Sequence, residues 1–159
     1  MTGISLRQLD EFLDKVDRQD IADIGGAVGH HYDGSIIKLY KDNCNFRIYD
    51  LENGYDICKK SLPRKHKTIV CVDTFEHIKD PVRAAENIVK SLQLKGNLFV
   101  TAPFIYEQHN YPIDMYRYTD TAFKWLFRKL KIIKCWYEDE TPHPEIFRRI
   151  RVSLIAKNE

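Results

Sequence analysis

Closely spaced cysteines are missing from this 159-residue sequence. Its four, Cys44, Cys58, Cys71 and Cys135, stand far apart, with no Cys-x-x-Cys and no Cys/His cluster at zinc-site spacing. That argues against a disulfide scaffold and a local metal centre, so no metal ligand is assigned and a reducing, cytoplasmic setting is expected. An excess of one charge is also missing: 25 Lys and Arg against 23 Asp and Glu leave +2. Nucleic acid is therefore not an expected partner, because polyanion binders need a clustered excess of base. Long apolar runs are absent too. Ile69-Val70-Cys71-Val72 is far too short to span a bilayer, and acidic residues soon after Met1 give no secretory pattern, so no membrane partner is expected. Seven Gly and six Pro leave little scope for low complexity or long disorder. One domain over 1–159 is the expectation, with no linker and no repeat.

What the chain has in quantity is aromatic residues, 12% of the total and crowded after residue 99. They either pack a C-terminal layer or line a site. Leu6, Leu9, Phe12, Leu13 and Val16 recur at helical spacing behind a Ser5/Gln8 capping box, which predicts a covering helix over Ser5–Val16. Asp20–Ile24 reads as a buried strand closed by Gly25-Gly26, Ser35–Lys41 as a short helix, and Asn45–Tyr49 as a second strand. Lys67–Asp73 is nearly continuous and β-branched, as strands buried on both faces are. Asp80-Pro81 opens a helix with Val82, Ala85, Ile88, Val89 and Leu92 as its buried stripe. After Gly96 comes a strand over Asn97–Ala102, then a helix from Thr119 or Asp120 to about Lys129 with Phe123, Leu126 and Phe127 inward. Two closing strands, Lys131–Tyr137 and Arg148–Ala156, follow. Arg148, Arg149, Arg151 and Lys157 are read as the solvated part of the last strand.

Alternating strands and helices imply an α/β fold with a mostly parallel sheet. In such sheets ligands bind outside the carboxyl ends of the strands. The residues there are Asp23, Gly25, Gly26 and Gly29 after the first strand, and Asp50 and Leu51 after the second. Asp73, Thr74, Glu76 and His77 follow the third, and Phe104 and Tyr106 the next. A dinucleotide fingerprint fails, since the glycines it would need fall on Ala27 and His30, and no phosphate-gripping Gly-Lys-Ser/Thr occurs. What remains is Asp-x-Gly-x-x-x-Gly with an acidic residue 21 positions beyond Gly29. A carboxylate at the second strand tip can accept from both hydroxyls of a ribose, and a glycine turn lets backbone approach a ligand without phosphate. An adenosine-type ligand with a compact charged tail suits that pair.

Three stretches resemble the class I S-adenosylmethionine-dependent methyltransferases. Ile21–Gly29 is similar to the family's first motif. Asp73-Thr74-Phe75-Glu76-His77-Ile78-Lys79-Asp80-Pro81 is similar to the D-x-x-E-H-x-x-D-P segment of a large branch. Pro103-Phe104, His109 and Pro112–Thr119 resemble a segment of methyltransferases linked to sugar and polysaccharide pathways. The resemblance implies a Rossmann-like three-layer αβα sandwich with an antiparallel C-terminal strand. Only 17 residues separate Asp50 from Thr68, so its third strand is expected to be short or missing.

The resemblance also implies S-adenosyl-L-methionine as cofactor. Gly25, Gly26 and Gly29 would form the turn under its methionine part, and Asp23 would orient that turn. Asp50 would take the ribose, Leu51 would lie against the adenine, and Asp56 and Ile57 at its edge. Asp73 and Thr74 would lie beneath the reacting end. His109 is the first candidate base and His77 the second, because an imidazole titrates near neutrality; a solvated His109 and a loop-holding His77 are the structural alternatives. Tyr106, Asp114 and Arg117 are assigned to the acceptor side, with an Asp114–Arg117 ion pair organising the loop as the alternative. His30 and His31 read as a loop pair.

The implied activity is methyl transfer to a small acceptor, a hydroxyl of a sugar or related metabolite. A catalytically silent methyltransferase-like binding or regulatory domain, suggested by Ala27 at the family's middle glycine, and a nucleotide-binding oxidoreductase are the rivals. At this length the acceptor pocket has to come from the 104–118 loop, the N-terminal helix or a second subunit, which makes a homodimer one expectation.

Overall fold

The computed structural model describes residues 3–16, 19–26, 45–109, 113–139 and 148–159. The expected helix at 35–41, Gly29, His30, His31, Ala27, Cys44 and Tyr111 lie outside the described residues. Helix α1 spans Gly3–Leu13, followed by β1 (Ile21–Ile24), β2 (Phe46–Tyr49) and β3 (His66–Val72). A single 3-10 turn at Phe75–His77 leads to α2 (Pro81–Ser91), β4 (Leu92–Ile105), α3 (Asp120–Leu126), β5 (Lys131–Asp139) and β6 (Ile150–Lys157). The strands form one mixed sheet in the order β2-β1-β3-β4-β6-β5. The β1–β2, β1–β3 and β3–β4 pairs are parallel, and β6 runs antiparallel between β4 and β5. Residues 50–65, between β2 and β3, contain turns and no strand.

Side-chain alternation divides the sheet between two apolar clusters. Ile69, Cys71, Leu98 and Val100 join Ala84, Ala85 and Ile88 of α2 and Phe123 and Leu126 of α3. Val70, Val72 and Phe99 join Leu9, Phe12 and Leu13 of α1. The Phe12 and Phe99 rings pack at 5.3 Å. Helix α2 begins as its sequence dictates: Asp80 accepts from the Arg83 N–H, and Pro81 needs no partner at the first position. Thr119 caps α3 through the Ala122 N–H.

Three expectations are corrected. Val82 is 40% exposed, because the buried face of α2 runs through Ala84, Ala85, Asn87, Ile88 and Ser91. Asn87 turns inward to donate to the Ile57 carbonyl, which tilts that face away from Val82. The strand expected at Asn97 begins at Leu92, where β4 first pairs with His66. Its irregular start includes Lys95 at φ +62, whose N–H is taken by the Asn158 carbonyl. Helix α3 stops at Leu126, three residues short of the expected Lys129.

Candidate active site

The carboxyl ends of β1 and β3 are locked together by a glycine turn. Gly25 adopts φ +78, and a Cβ there would lie 2.3 Å from Thr74 Cγ2. Both the left-handed backbone and the close approach exclude any other residue. The Gly25 N–H donates to the Tyr49 carbonyl, and the Thr74 hydroxyl sits 3.1 Å from the Ile24 carbonyl and 3.0 Å from that of Val72. At Gly26 a Cβ would meet the buried Asp23 carboxylate at 2.1 Å. Asp23 thus lies directly under the turn, and the two glycines leave the room that the Thr74 and Asp23 side chains occupy against the backbone.

Asp50, at the tip of β2, is buried. Its Oδ1 accepts from the Asn53 N–H at 2.7 Å, while Oδ2 has no hydrogen-bond partner among the described residues. Leu51 beside it is 66% exposed. Asp56 faces its own turn instead, accepting from the Cys58 N–H and approaching Lys59 at 3.5 Å. Ile57 packs in the core, its carbonyl held by Asn87.

Asp73 follows β3 at φ +47, a left-handed conformation that Asp tolerates better than most residues. It thereby meets Arg151 of β6, whose Nε lies 2.8 and 3.1 Å from its two carboxylate oxygens. Arg151 is only 3% exposed, which corrects its reading as part of a solvated strand face. Burial works against its charge, yet Asp73 holds the guanidinium above its ordinary value. Its cross-strand neighbour is the buried Glu138, and the Tyr106 ring lies 5.1 Å away. Arg149 pairs with Glu107, and Arg148 with Asp139 at the surface.

The turn after β3 carries Glu76 and His77. The Glu76 side chain is fully buried, and neither carboxylate oxygen has a hydrogen-bond partner among the described residues. Burial, with the Asp73 charge adding to it, pushes its carboxyl well above the ordinary value. His77 Nδ1 is 2.6 Å from the Ile113 carbonyl, and its Nε2 is 3.7 Å from Glu76 Oε1. Burial lowers its pKa, and the Ile113 contact opposes this. The loop after β4 brings in His109, with Nε2 4.0 Å from Glu76 Oε1 and Nδ1 3.3 Å from Asp114 Oδ2. The two imidazoles meet edge to face at 5.1 Å, and Tyr106 flanks His109 at 5.7 Å.

Asp114 and Arg117 form the ion pair their spacing suggests. Arg117 also reaches the Tyr106, Glu107 and Tyr116 carbonyls, and it holds the Asp114 carboxyl down at about 2. The Asp114 side chain is wholly buried, so as positioned the pair fastens the loop and presents His109. Met115 N–H donates to the Glu76 carbonyl, docking the loop on the turn. Of the aromatic residues in the 104–118 loop, Tyr118 joins the core, donating its hydroxyl to the Phe75 carbonyl.

The chain therefore brings Asp23, Gly25, Gly26 and Thr74 together at one point, and His77, His109, Asp114 and Arg117 at another. Glu76 and Arg151 belong to this end of the sheet and had been given no role. The signal for Arg151 was an arginine between Ile150 and the largely apolar run Val152–Ala156; the signal for Glu76 was its place just after the strand tip.

No protein-family model matches the chain, and no curated protein matches it. Solved structures match its fold. The N-methyltransferase NodS from Bradyrhizobium japonicum WM9, in complex with S-adenosyl-L-homocysteine, superposes with TM-score 0.67 at 16% identity, over 96% of this chain and 84% of that one. An S-adenosylmethionine-dependent methyltransferase from Clostridium acetobutylicum gives TM-score 0.64 at 12% identity, over 94% and 89%. TehB from Haemophilus influenzae gives 0.66 at 12%, over 96% of this chain but 62% of its own length, so the chain spans under two thirds of TehB. At such identities the likeness is one of fold: a mixed six-stranded sheet of the Rossmann-like methyltransferase kind. No helix among the described residues is long and apolar enough to cross a membrane.

Proposed function

We propose that the chain is an S-adenosyl-L-methionine-dependent methyltransferase acting on a small acceptor, through a hydroxyl of a sugar or related metabolite. The observation that carries this reading is the buried Asp50 Oδ2, without a hydrogen-bond partner among the described residues, at the strand tip beside the Gly25-Gly26 turn. A ribose hydroxyl would supply the missing donor, and Leu51 an apolar edge for the base. Gly25 and Gly26 would lie under the amino-acid part, with Asp23 and Thr74 bracing them. The two helix-covered sheet faces fit a three-layer arrangement, and the strandless run 50–65 fits a lost third strand.

The cofactor supplies an electrophilic methyl group on a sulfonium, itself a good leaving group. The protein's share is alignment and exclusion of water. In the chain without other ligands, His109 Nε2 is the half-exposed proton acceptor of the second cluster. Its Nδ1 faces two acceptors, Asp114 and the Glu107 carbonyl, so the proton resides there and Nε2 keeps its lone pair. Asp114, fastened by Arg117, would stabilise the imidazolium that forms. Tyr106, against the His109 ring, would meet the acceptor.

The test is calorimetry with S-adenosylhomocysteine and NAD on the wild-type chain and on Asp50→Ala. Binding of S-adenosylhomocysteine that Asp50→Ala abolishes supports the reading. Preference for NAD, or affinity unchanged in Asp50→Ala, overturns it.

A further inference from the structure

We propose that Glu76, His77 and His109 form a site for one divalent first-row transition-metal ion, with Glu76 Oε1 and the two histidine Nε2 atoms as its ligands. One ligand atom from each of the three lies within 4.8 Å of the others. The Oε1 to Nε2 separations are 3.7 Å to His77 and 4.0 Å to His109. Ligands about 2.0–2.2 Å from a shared ion stand roughly 3–3.5 Å apart, so each imidazole has to approach Glu76 by about half an ångström and the two rings have to close to the same spacing from within 4.8 Å. The half-exposed His109 ring has room for it.

The outer contacts point the same way. His77 Nδ1 faces the Ile113 carbonyl, and His109 Nδ1 faces the Asp114 carboxylate and the Glu107 carbonyl. All these neighbours only accept, so each Nδ1 carries the proton and each Nε2 presents a bare lone pair toward Glu76. Ligating histidines are oriented in this way, by donating their other N–H to a carbonyl or carboxylate.

Glu76 is the second, independent observation. It is fully buried beside the two rings, and neither of its carboxylate oxygens has a hydrogen-bond partner among the described residues. Ionised in that state, the carboxyl would need a positive partner, which a bound cation supplies. An ordinary histidine ion pair would put one Nε2–H within hydrogen-bond distance, and neither ring comes that close.

Two imidazoles with one carboxylate suit zinc, manganese, iron or cobalt in the divalent state better than magnesium or calcium, which prefer all-oxygen shells. Three protein ligands leave an open position on the loop side, where an oxygen ligand such as a hydroxyl would bind. In the loaded chain His109 Nε2 holds the ion, and the ion's charge takes over the acidification of that hydroxyl. The site rests on these side chains and stands independently of the methyl-transfer reading.

The test is titration of the tag-free, chelator-stripped full chain with cobalt(II), followed by visible absorption and calorimetry. One cobalt per chain is expected. Asp114→Asn should weaken binding about 10–100-fold through lost orientation. Glu76→Gln and His109→Gln should weaken it further, with melting temperatures near that of the wild type showing that the variants fold. No cobalt binding, or binding unchanged in both Glu76→Gln and His109→Gln, overturns the site. Intact S-adenosylhomocysteine binding alongside that result would leave the proposed function standing.

Discussion

Both ends of the parallel strands carry a buried carboxylate with histidine, and the two clusters differ in how completely their atoms are used. At the amino end, Asp20 Oδ1 meets His66 Nδ1 at 2.8 Å and Arg64 at 2.9 Å. Its Oδ2 accepts from the Lys67 N–H and from Gln93. The opposite ring nitrogen of His66 accepts from the Tyr49 hydroxyl at 3.1 Å. At the carboxyl end, the Glu76 carboxyl accepts no hydrogen bond from another described residue, and two imidazoles turn bare lone pairs toward it. The same residue types therefore serve as a closed structural joint at one end and as an open, ligand-ready set at the other. The difference lies in which atoms remain unsatisfied, and open groups at the carboxyl ends are where this fold class binds ligands.

The strongest way to probe that contrast is to break a closed pair. Arg151 with Asp73 is the closed pair of the carboxyl end. Arg151→Met leaves Asp73 without its partner and Glu138 without its cross-strand cation, and should destabilise the chain by about 3–5 kcal/mol. Urea denaturation reads this directly; a loss under 1 kcal/mol would mean the pair is solvated in solution. Next is His66→Ala, which strips one partner from Asp20, leaves the Tyr49 hydroxyl unmatched and opens a cavity. About 2–3 kcal/mol should be lost, with cobalt affinity untouched because the variant lies at the other end of the strands.

The closed joint also sets a pH dependence. Burial lowers the pKa of His66 below 6.5; Asp20 opposes this, while Arg64 and Arg47 add to it. A histidine depressed in the folded state contributes stability that is fully present above the unfolded value. That stability is lost as the pH falls through the folded value, because the unfolded chain takes up the proton first. From pH 7 down to 5, unfolding free energy should fall by at most about 1.4 kcal/mol per unit from this group. His66→Gln should flatten that part of the profile. An unchanged profile in His66→Gln assigns the slope to other groups.

Much of the sheet was legible in the sequence because its signals are local. The β-branched run Lys67–Asp73, the Asp80-Pro81 helix start and the Gly25-Gly26 turn each announce themselves within a few residues. The strand tips were legible for the same reason, and with them Asp23, Asp50 and Thr74. What was not legible depends on contacts far apart in the chain. Arg151 reads as one of three surface arginines until Asp73, 78 positions away, is brought against it. Glu76 and His77 adjoin, but His109 comes from the next strand's loop, so no spacing rule for metal ligands detects the three together. Val82 was misread because a polar residue, Asn87, claimed the inward face of α2 to hold the Ile57 carbonyl.

The smallest stability effect should come from Glu76→Gln, and its smallness is the point. In a closed cluster, removing the charge of a buried carboxylate leaves donors without an acceptor. No other described residue donates to the Glu76 carboxyl, and burial already disfavours its charged form, so the amide replaces a near-neutral group of the same shape. Melting temperature should stay within the shift of about 1 kcal/mol or rise slightly, while cobalt affinity collapses. A large loss of stability in the stripped protein would show that Glu76 already has a partner and that both clusters are structural joints. Near-neutral stability with lost binding separates an open site from a closed joint, because only an open site holds a carboxylate whose partner comes from outside the chain.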